Sequence, residues 1–418
     1  MQHPHETTVL THENDPVLLR PSTGVVGMTD GQKEQAALAK AWEVRKPAPR
    51  TSKKELALLS KAASEFAKKQ LAPDREKNDT YPFGPFFDEV LDKAFGLDFF
   101  HILLPETMNG MNQGISALAV TLDPICQEDS SLGGILFTTA AAHELMFAAG
   151  ATQELGRLAG QTAVRDFLVA MPVFNNPSEV RHLADVRRTG DAFVLSGNLE
   201  YLVLGGMARQ ALVPASSPGS SAYSWFLVDL DQDGVTKSEP ILSLGLHACP
   251  ASDLTFAGVK ATLIGEEGQG SGYFDKMAGR MHTAAAAMSL GIMKGSFREA
   301  FDYAKKREQG GHTIINWSEV KMLLSNMAIK ITNAEMILER VCKAVDLQEP
   351  KWEARSRAAA LHIQDMACDL TTDGIQLLGG VGYMKDFGQE KRFRDAKHVQ
   401  ALLGIVPVRK ISFIETMI

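Results

Sequence analysis

Apolar residues in this chain change their spacing twice, and that double change confines it to helices, then strands, then helices again. Between residues 52 and 160 they recur three and four apart. Leu56, Leu59, Ala63 and Phe66 make one stripe, which Pro73 ends; Phe87, Val90, Leu91 and Ala94 make the next, before Gly96. Segments 115–127, 132–149 and 153–158 continue the pattern, with Asp129 or Ser130 placed to cap a helix. From 164 to 264 the period falls to two. Runs 193–195, 201–204, 225–230 and 254–263 end in Ser-Gly-Asn, Gly-Gly, Asp-Gln-Asp-Gly and Gly-Glu-Glu-Gly, which mark short strands and turns. Beyond Tyr273 the helical period returns in four long segments, 284–307, 319–344, 352–378 and 391–415. The expected fold is α+β and multidomain: an N-terminal helical domain over 51–162, a central antiparallel β-sandwich or barrel over 163–264, and a C-terminal four-helix bundle over 265–418. Residues 1–50, rich in Pro, Thr, His and charge, read as a polar extension.

Composition narrows the function classes. Hydrophobic residues are 45% and charged residues 22%, so a packed core rather than disorder is expected. A net charge of −7 argues against a nucleic-acid-binding body. Cys126, Cys249, Cys342 and Cys368 lack metal-like spacing and read as reduced thiols, with no metal site. The first residues lack a charged stretch followed by an apolar core, and the most apolar run, 132–150, carries His143 and Glu144. A cytoplasmic protein without membrane or nucleic-acid partners is the expectation.

Taken singly, the local motifs stay ambiguous. Gly379-Gly380-Val381-Gly382 at a helix end could admit a phosphate or simply cap the helix. Gly265-Glu-Glu-Gly-Gln-Gly270 reads as a turn, because its carboxylates would repel an anion. Lys305 and Lys306 suit a helix C-terminus, and Glu390, Arg394, Asp395 and Lys397 suit a salt-bridged helix start. No catalytic triad can be assigned, and His143, His247, His282, His312 and His398 show no ligand-like spacing.

The ordered set of motifs is more specific. Gln376-Leu-Leu-Gly-Gly-Val-Gly-Tyr383, followed by Glu390 and Arg394-Asp-Ala-Lys397, resembles the signature region of flavin-dependent acyl-CoA dehydrogenases. Leu104-Pro-Glu106 with Gly110, Asp129-Ser-Ser131, Gly190-Asp191, Ser196-Gly197, Gly265–Gly270 and Arg307-Glu-Gln309 match that family in the same order. The resemblance implies α,β-dehydrogenation of an acyl-CoA thioester: a glutamate takes the α-proton while a hydride passes to flavin. It implies FAD shared across a subunit interface, bound in this chain by Arg307, Gln376, Gly379 and Gly380, with an electron-transfer flavoprotein as acceptor.

The departures are as informative as the matches. One family position for the base falls nine residues after Arg394, at Leu403, and the other ten before Gly291, at Met281; neither side chain titrates. The family's Gly-rich flavin loop aligns with Met171-Pro-Val-Phe-Asn-Asn-Pro177, and its Trp-Ile-Thr segment with Tyr201-Leu202-Val203. Elements that serve the flavin ring and base are lost while Arg307 and the Gly-Gly turn remain. This sorting points to a divergent subunit with no catalytic residue of its own, partnered with a glutamate-bearing paralogue. Two alternatives are a base-less flavoenzyme that eliminates without net oxidation, and a flavin-free acyl-CoA binding or scaffold protein.

Overall fold

The computed structural model describes residues 51–415 apart from 82, 85, 86, 175 and 178–182. The expected 1–50 extension lies outside the described residues. The chain begins with α1 (Lys53–Phe66), where Ser52 and Glu55 exchange hydrogen bonds in a capping box, 3.2 and 2.7 Å long. It continues through α2 (Asp88–Gly96), α3 (Ile115–Glu128), α4 (Ser130–Ala148), α5 (Thr152–Ala159) and α6 (Val164–Phe167). Asp129 caps α4, as its position predicts, by accepting the Ser131 N–H at 2.9 Å. Nearly every residue of α4 is buried, which explains its uniform apolarity and holds His143 down at about 3, through burial first.

The middle of the chain forms β1 (Val169–Ala170), β2 (Ala184–Thr189), β3 (Ala192–Val203), β4 (Gln210–Ser216), β5 (Ser224–Asp229), β6 (Val235–Lys237) and β7 (Ala251–Ile264) in a seven-stranded sheet. Pairing runs β1-β4-β2-β3-β7-β5, and β5 also pairs with β4, so β2, β3, β7, β5 and β4 close a ring. The pairs are antiparallel except β1–β4 and β2–β4. The turn expected at Ser196–Asn198 is instead the interior of β3. A register shift between Leu195 and Ser196 and the φ of 109° at Gly197 absorb the irregularity without breaking the strand.

Four long segments were expected next; the structure has α7 (Gly270–Lys306), a small hairpin of β8 (Glu308–Gln309) and β9 (His312–Thr313), then α8 (Ser318–Asp346), α9 (Trp352–Leu378), α10 (Gln389–Gln400) and α11 (Val406–Glu415). The fourth segment is therefore two helices. It breaks at Leu403 and Gly404, whose φ values of 65° and 117° lie outside the helical region. No helix among the described residues is long and apolar enough to cross a membrane.

A buried web of charges ties the three regions together. Lys391 lies between Asp395 at 2.7 Å and Asp129 at 3.3 Å. Asp395 also accepts the Leu246 N–H at 2.9 Å, and Arg394 reaches Asp79 and the Leu244 carbonyl besides Glu390. His247 points both ring nitrogens at oxygens, with Nδ1 3.0 Å from the Asp79 carbonyl and Nε2 2.8 Å from that of Ser243. Burial alone would lower the His247 pKa, but its bonds to Asp79 raise it. The expected salt-bridged helix start is present in Glu390–Arg394 and Lys391–Asp395, and Lys391 and Asp395 are buried.

Candidate active site

Both positions that the resemblance gives to the base are buried. Leu403 is 3% exposed, and its N–H donates to the Val173 carbonyl at 2.7 Å. Met281 lies on α7 with no exposed surface. Beside it, His282 is fully buried, and burial first, then Arg409 and Arg357, push its pKa well below the usual histidine range.

Next to the Leu403 position, two polar side chains, His398 and Tyr201, engage each other. His398, on α10, accepts the Gly245 N–H at its Nδ1, 3.1 Å away. A backbone amide can only donate, so the ring proton sits on Nε2, which lies 3.2 Å from the Tyr201 hydroxyl. Burial lowers the His398 pKa to about 4, so the ring is neutral near pH 7 and its one lone pair is engaged. Tyr201 is itself held in left-handed backbone (φ 56°) by its N–H bond to Asp253 at 2.8 Å, and burial raises its phenol pKa.

The predicted cofactor residues lie at two helix ends. Arg307 follows α7 and is exposed; its N–H bonds the Tyr303 carbonyl and its carbonyl accepts from Ile314, both at 2.8 Å. Nearby, the Lys305 ammonium lies 4.0 Å from the Phe301 ring centroid, so it has a local partner. Gln376, Gly379 and Gly380 are exposed at the end of α9. Phe387, beyond that turn, meets Tyr303 edge-on at 6.1 Å, which links the turn to the end of α7.

The three glycines of that turn are glycines for different reasons. Gly379 needs its φ of 63° and ψ of −136°. A Cβ at Gly382 would come within 2.5 Å of the Ile375 carbonyl oxygen. Gly380 has neither constraint: its φ is outside the left-handed range, and an added Cβ would meet nothing within 4 Å.

A feature that the sequence reading treated only as a turn is a pocket of about 500 Å³ at the start of α7. Ser216, Ser220, Ser221 and Ser271 line it, together with Tyr223 and Gly268. Gly268 is fixed by its N–H bond to Ser224 at 2.8 Å, and Trp225 Nε1 donates to the Gly270 carbonyl at 3.0 Å. Hydroxyls beside a long helix N-terminus make a polar recess suited to hydroxyl-rich groups. Four serines scattered over 216–271 carry no sequence period, so only folding brings them together.

Family models match both ends of the chain: the acyl-CoA dehydrogenase N-terminal domain over residues 53–157 and the acyl-CoA dehydrogenase C-terminal domain over 268–408. A probable acyl-CoA dehydrogenase FadE25 of Mycobacterium tuberculosis is 26% identical over 371 residues, covering 84% of this chain and 92% of that one. CarC, a subunit of the caffeyl-CoA reductase-Etf complex of Acetobacterium woodii, is 23% identical over 353 residues, covering 81% and 92%. Butyryl-CoA dehydrogenase of Megasphaera elsdenii superposes with a TM-score of 0.79 at 20% identity, over 88% of this chain and 99% of that one. With both terminal domains matched and the order of helices, sheet and bundle shared, this chain belongs to the acyl-CoA dehydrogenase family of oxidoreductases.

Proposed function

We propose that this chain is the non-base-bearing subunit of a heteromeric acyl-CoA dehydrogenase. A glutamate-bearing paralogue supplies the proton acceptor and the cradle for the flavin ring. This chain lends Arg307, Gln376, Gly379 and Gly380 to the pyrophosphate side of an FAD shared across the interface. The observation that carries the reading is the sealing of Leu403: its side chain is buried and its N–H is bonded within the chain. A thioester α-carbon needs a positioned base, and removing one costs ~10²–10⁴ in rate. Bound FAD would accept the hydride; the chain's own contribution is to bind and orient. The serine-lined recess supports an acyl-CoA ligand, whose polar groups its hydroxyls can hydrogen-bond. The similarity to CarC, from an Etf complex, supports an electron-transfer flavoprotein as acceptor.

Co-expression with a glutamate-bearing relative should give a stable complex containing FAD and bleached by acyl-CoA, as read from its visible spectrum. A chain that binds flavin and dehydrogenates acyl-CoA alone would overturn the reading. The open space around Gly380 supports a second expectation. Gly380→Ala should leave the isolated chain as stable, or about 0.5 kcal/mol more stable. The same change should weaken FAD retention in the complex, because a Cβ would stand where the partner-held dinucleotide approaches. Unchanged flavin content after desalting would remove Gly380 from the cofactor site.

A flavin-free acyl-CoA binding role is the second reading, and the intact serine-lined recess favours it. Tight acyl-CoA binding without partner or colour, read by calorimetry, would support it over the first.

A further inference from the structure

The segments that the resemblance assigns to the flavin ring do not leave a slot for one. Phe174, from the former Gly-rich loop, packs its ring 4.5 Å from that of His398 and 5.7 Å from that of Tyr201. Tyr201 and His398 complete the triangle with centroids 6.4 Å apart and the 3.2 Å bond between hydroxyl and Nε2. These are the spacings of rings in direct contact, whereas a flavin ring needs about 7 Å between the groups on its two faces.

Backbone bonds fix the loop that carries Phe174. Met171 N–H donates to the Val203 carbonyl at 3.1 Å, and the Leu403 N–H to the Val173 carbonyl at 2.7 Å. Thus the loop is pinned on one side to the end of β3 and on the other to the C-terminal turn. Tyr201, Leu204 and Leu403 all hold left-handed backbone, with φ of 56°, 64° and 65°. Each costs on the order of 1 kcal/mol for a side chain with a Cβ, so the surrounding packing imposes this arrangement.

We propose that Phe174, Tyr201 and His398 form an aromatic plug that occupies the space of the flavin ring within this chain. The plug is a permanent occupant, held by three segments of the same polypeptide, and the ring system of FAD does not fit beside it. The assignment of the segments rests on the functional reading above. The consequence is distinct from it: the chain contributes to a dinucleotide only from its outer surface, never from its own cleft.

The full chain, purified alone, is titrated with riboflavin, the ring without the adenine dinucleotide, and with FAD. The unmodified chain should retain neither after desalting and should not quench flavin fluorescence. The Phe174→Gly, Tyr201→Thr double variant opens a ring-sized cavity of the kind that admits aromatic ligands, and should bind riboflavin at least tenfold more tightly. Tyr201→Phe with His398→Gln keeps the volume and should not. Should the cavity variant fail to fold, the unmodified chain decides: its His398 Nε2–H signal in ¹⁵N-histidine spectra, assigned by His398→Gln, should persist at saturating FAD. Riboflavin held by the unmodified chain, loss of that signal, or no uptake by a folded cavity variant would each overturn the plug. Failure of the functional reading looks different. Flavin held by the lone chain and not bleached by acyl-CoA overturns the plug only, whereas bleaching overturns both. A co-expressed complex without flavin or activity overturns the functional reading and leaves the plug standing.

Discussion

Lys391→Met should destabilise the protein by about 3–5 kcal/mol, read as a lowered denaturation midpoint at unchanged denaturant dependence. Lys391 is 4% exposed and lies within 3.3 Å of two carboxylates that are themselves buried. Burial alone would lower the amine's pKa, yet Asp129 and Asp395 hold it above the usual lysine value, so the charged form is the native one. Methionine fills nearly the same volume and removes the charge with its bonds to Asp129 and Asp395. Asp129 would keep its capping bond from Ser131, and Asp395 its bond from Leu246, but both would lose the ammonium that lies between them. The Lys391→Met, Asp395→Asn double variant should recover part of the loss, because one stranded charge is removed with its partner. A single-variant effect below about 1 kcal/mol would mean that water already screens the cluster.

Restoring the carboxylate at the C-terminal slot should not restore a base. Leu403→Glu is expected to cost on the order of 3 kcal/mol or more and to leave acyl-CoA dehydrogenation by this chain at background. The backbone there is already left-handed, the side chain is 3% exposed, and the amide is bonded to Val173. A glutamate in that position would be driven to its neutral form by desolvation, and a neutral carboxyl cannot take a proton. In the proposed complex, a Glu→Gln change at the base of the glutamate-bearing paralogue should instead lower activity by ~10²–10⁴. A rise of similar size in dye-coupled activity of the Leu403→Glu chain, without a partner, would show that this slot faces a working cleft.

The difference between these two sites shows which features could be read in advance. Lys391, Arg394 and Asp395 carry an evident helical spacing, and that spacing accounts for Glu390–Arg394 and Lys391–Asp395, each four residues apart. It says nothing of Asp79 or Asp129, which come from more than 260 positions away in the chain, as the separations of 315 and 262 residues show. Ring contacts are hidden in the same way. Phe174, Tyr201 and His398 belong to a loop, a strand end and a helix, and their separate apolar or aromatic character matches many other core positions. The expected turn at Ser196–Asn198 and the expected unbroken final helix failed for a related reason: glycine permits a turn but does not require one. Pairing with β7 kept Gly197 within β3 despite its φ of 109°, and the chain turned before Gly404, where the Leu403 N–H bonds Val173.

By itself the sequence determined the order of helices, sheet and bundle, because apolar periodicity is a local property that burial must satisfy on one face. It also determined that no titratable group stands at Leu403 or Met281, since side-chain chemistry does not depend on folding. Only the tertiary structure decided whether the cleft beside them is open. That is a matter of which distant groups fill one volume, and close packing is settled by contacts between segments rather than within them.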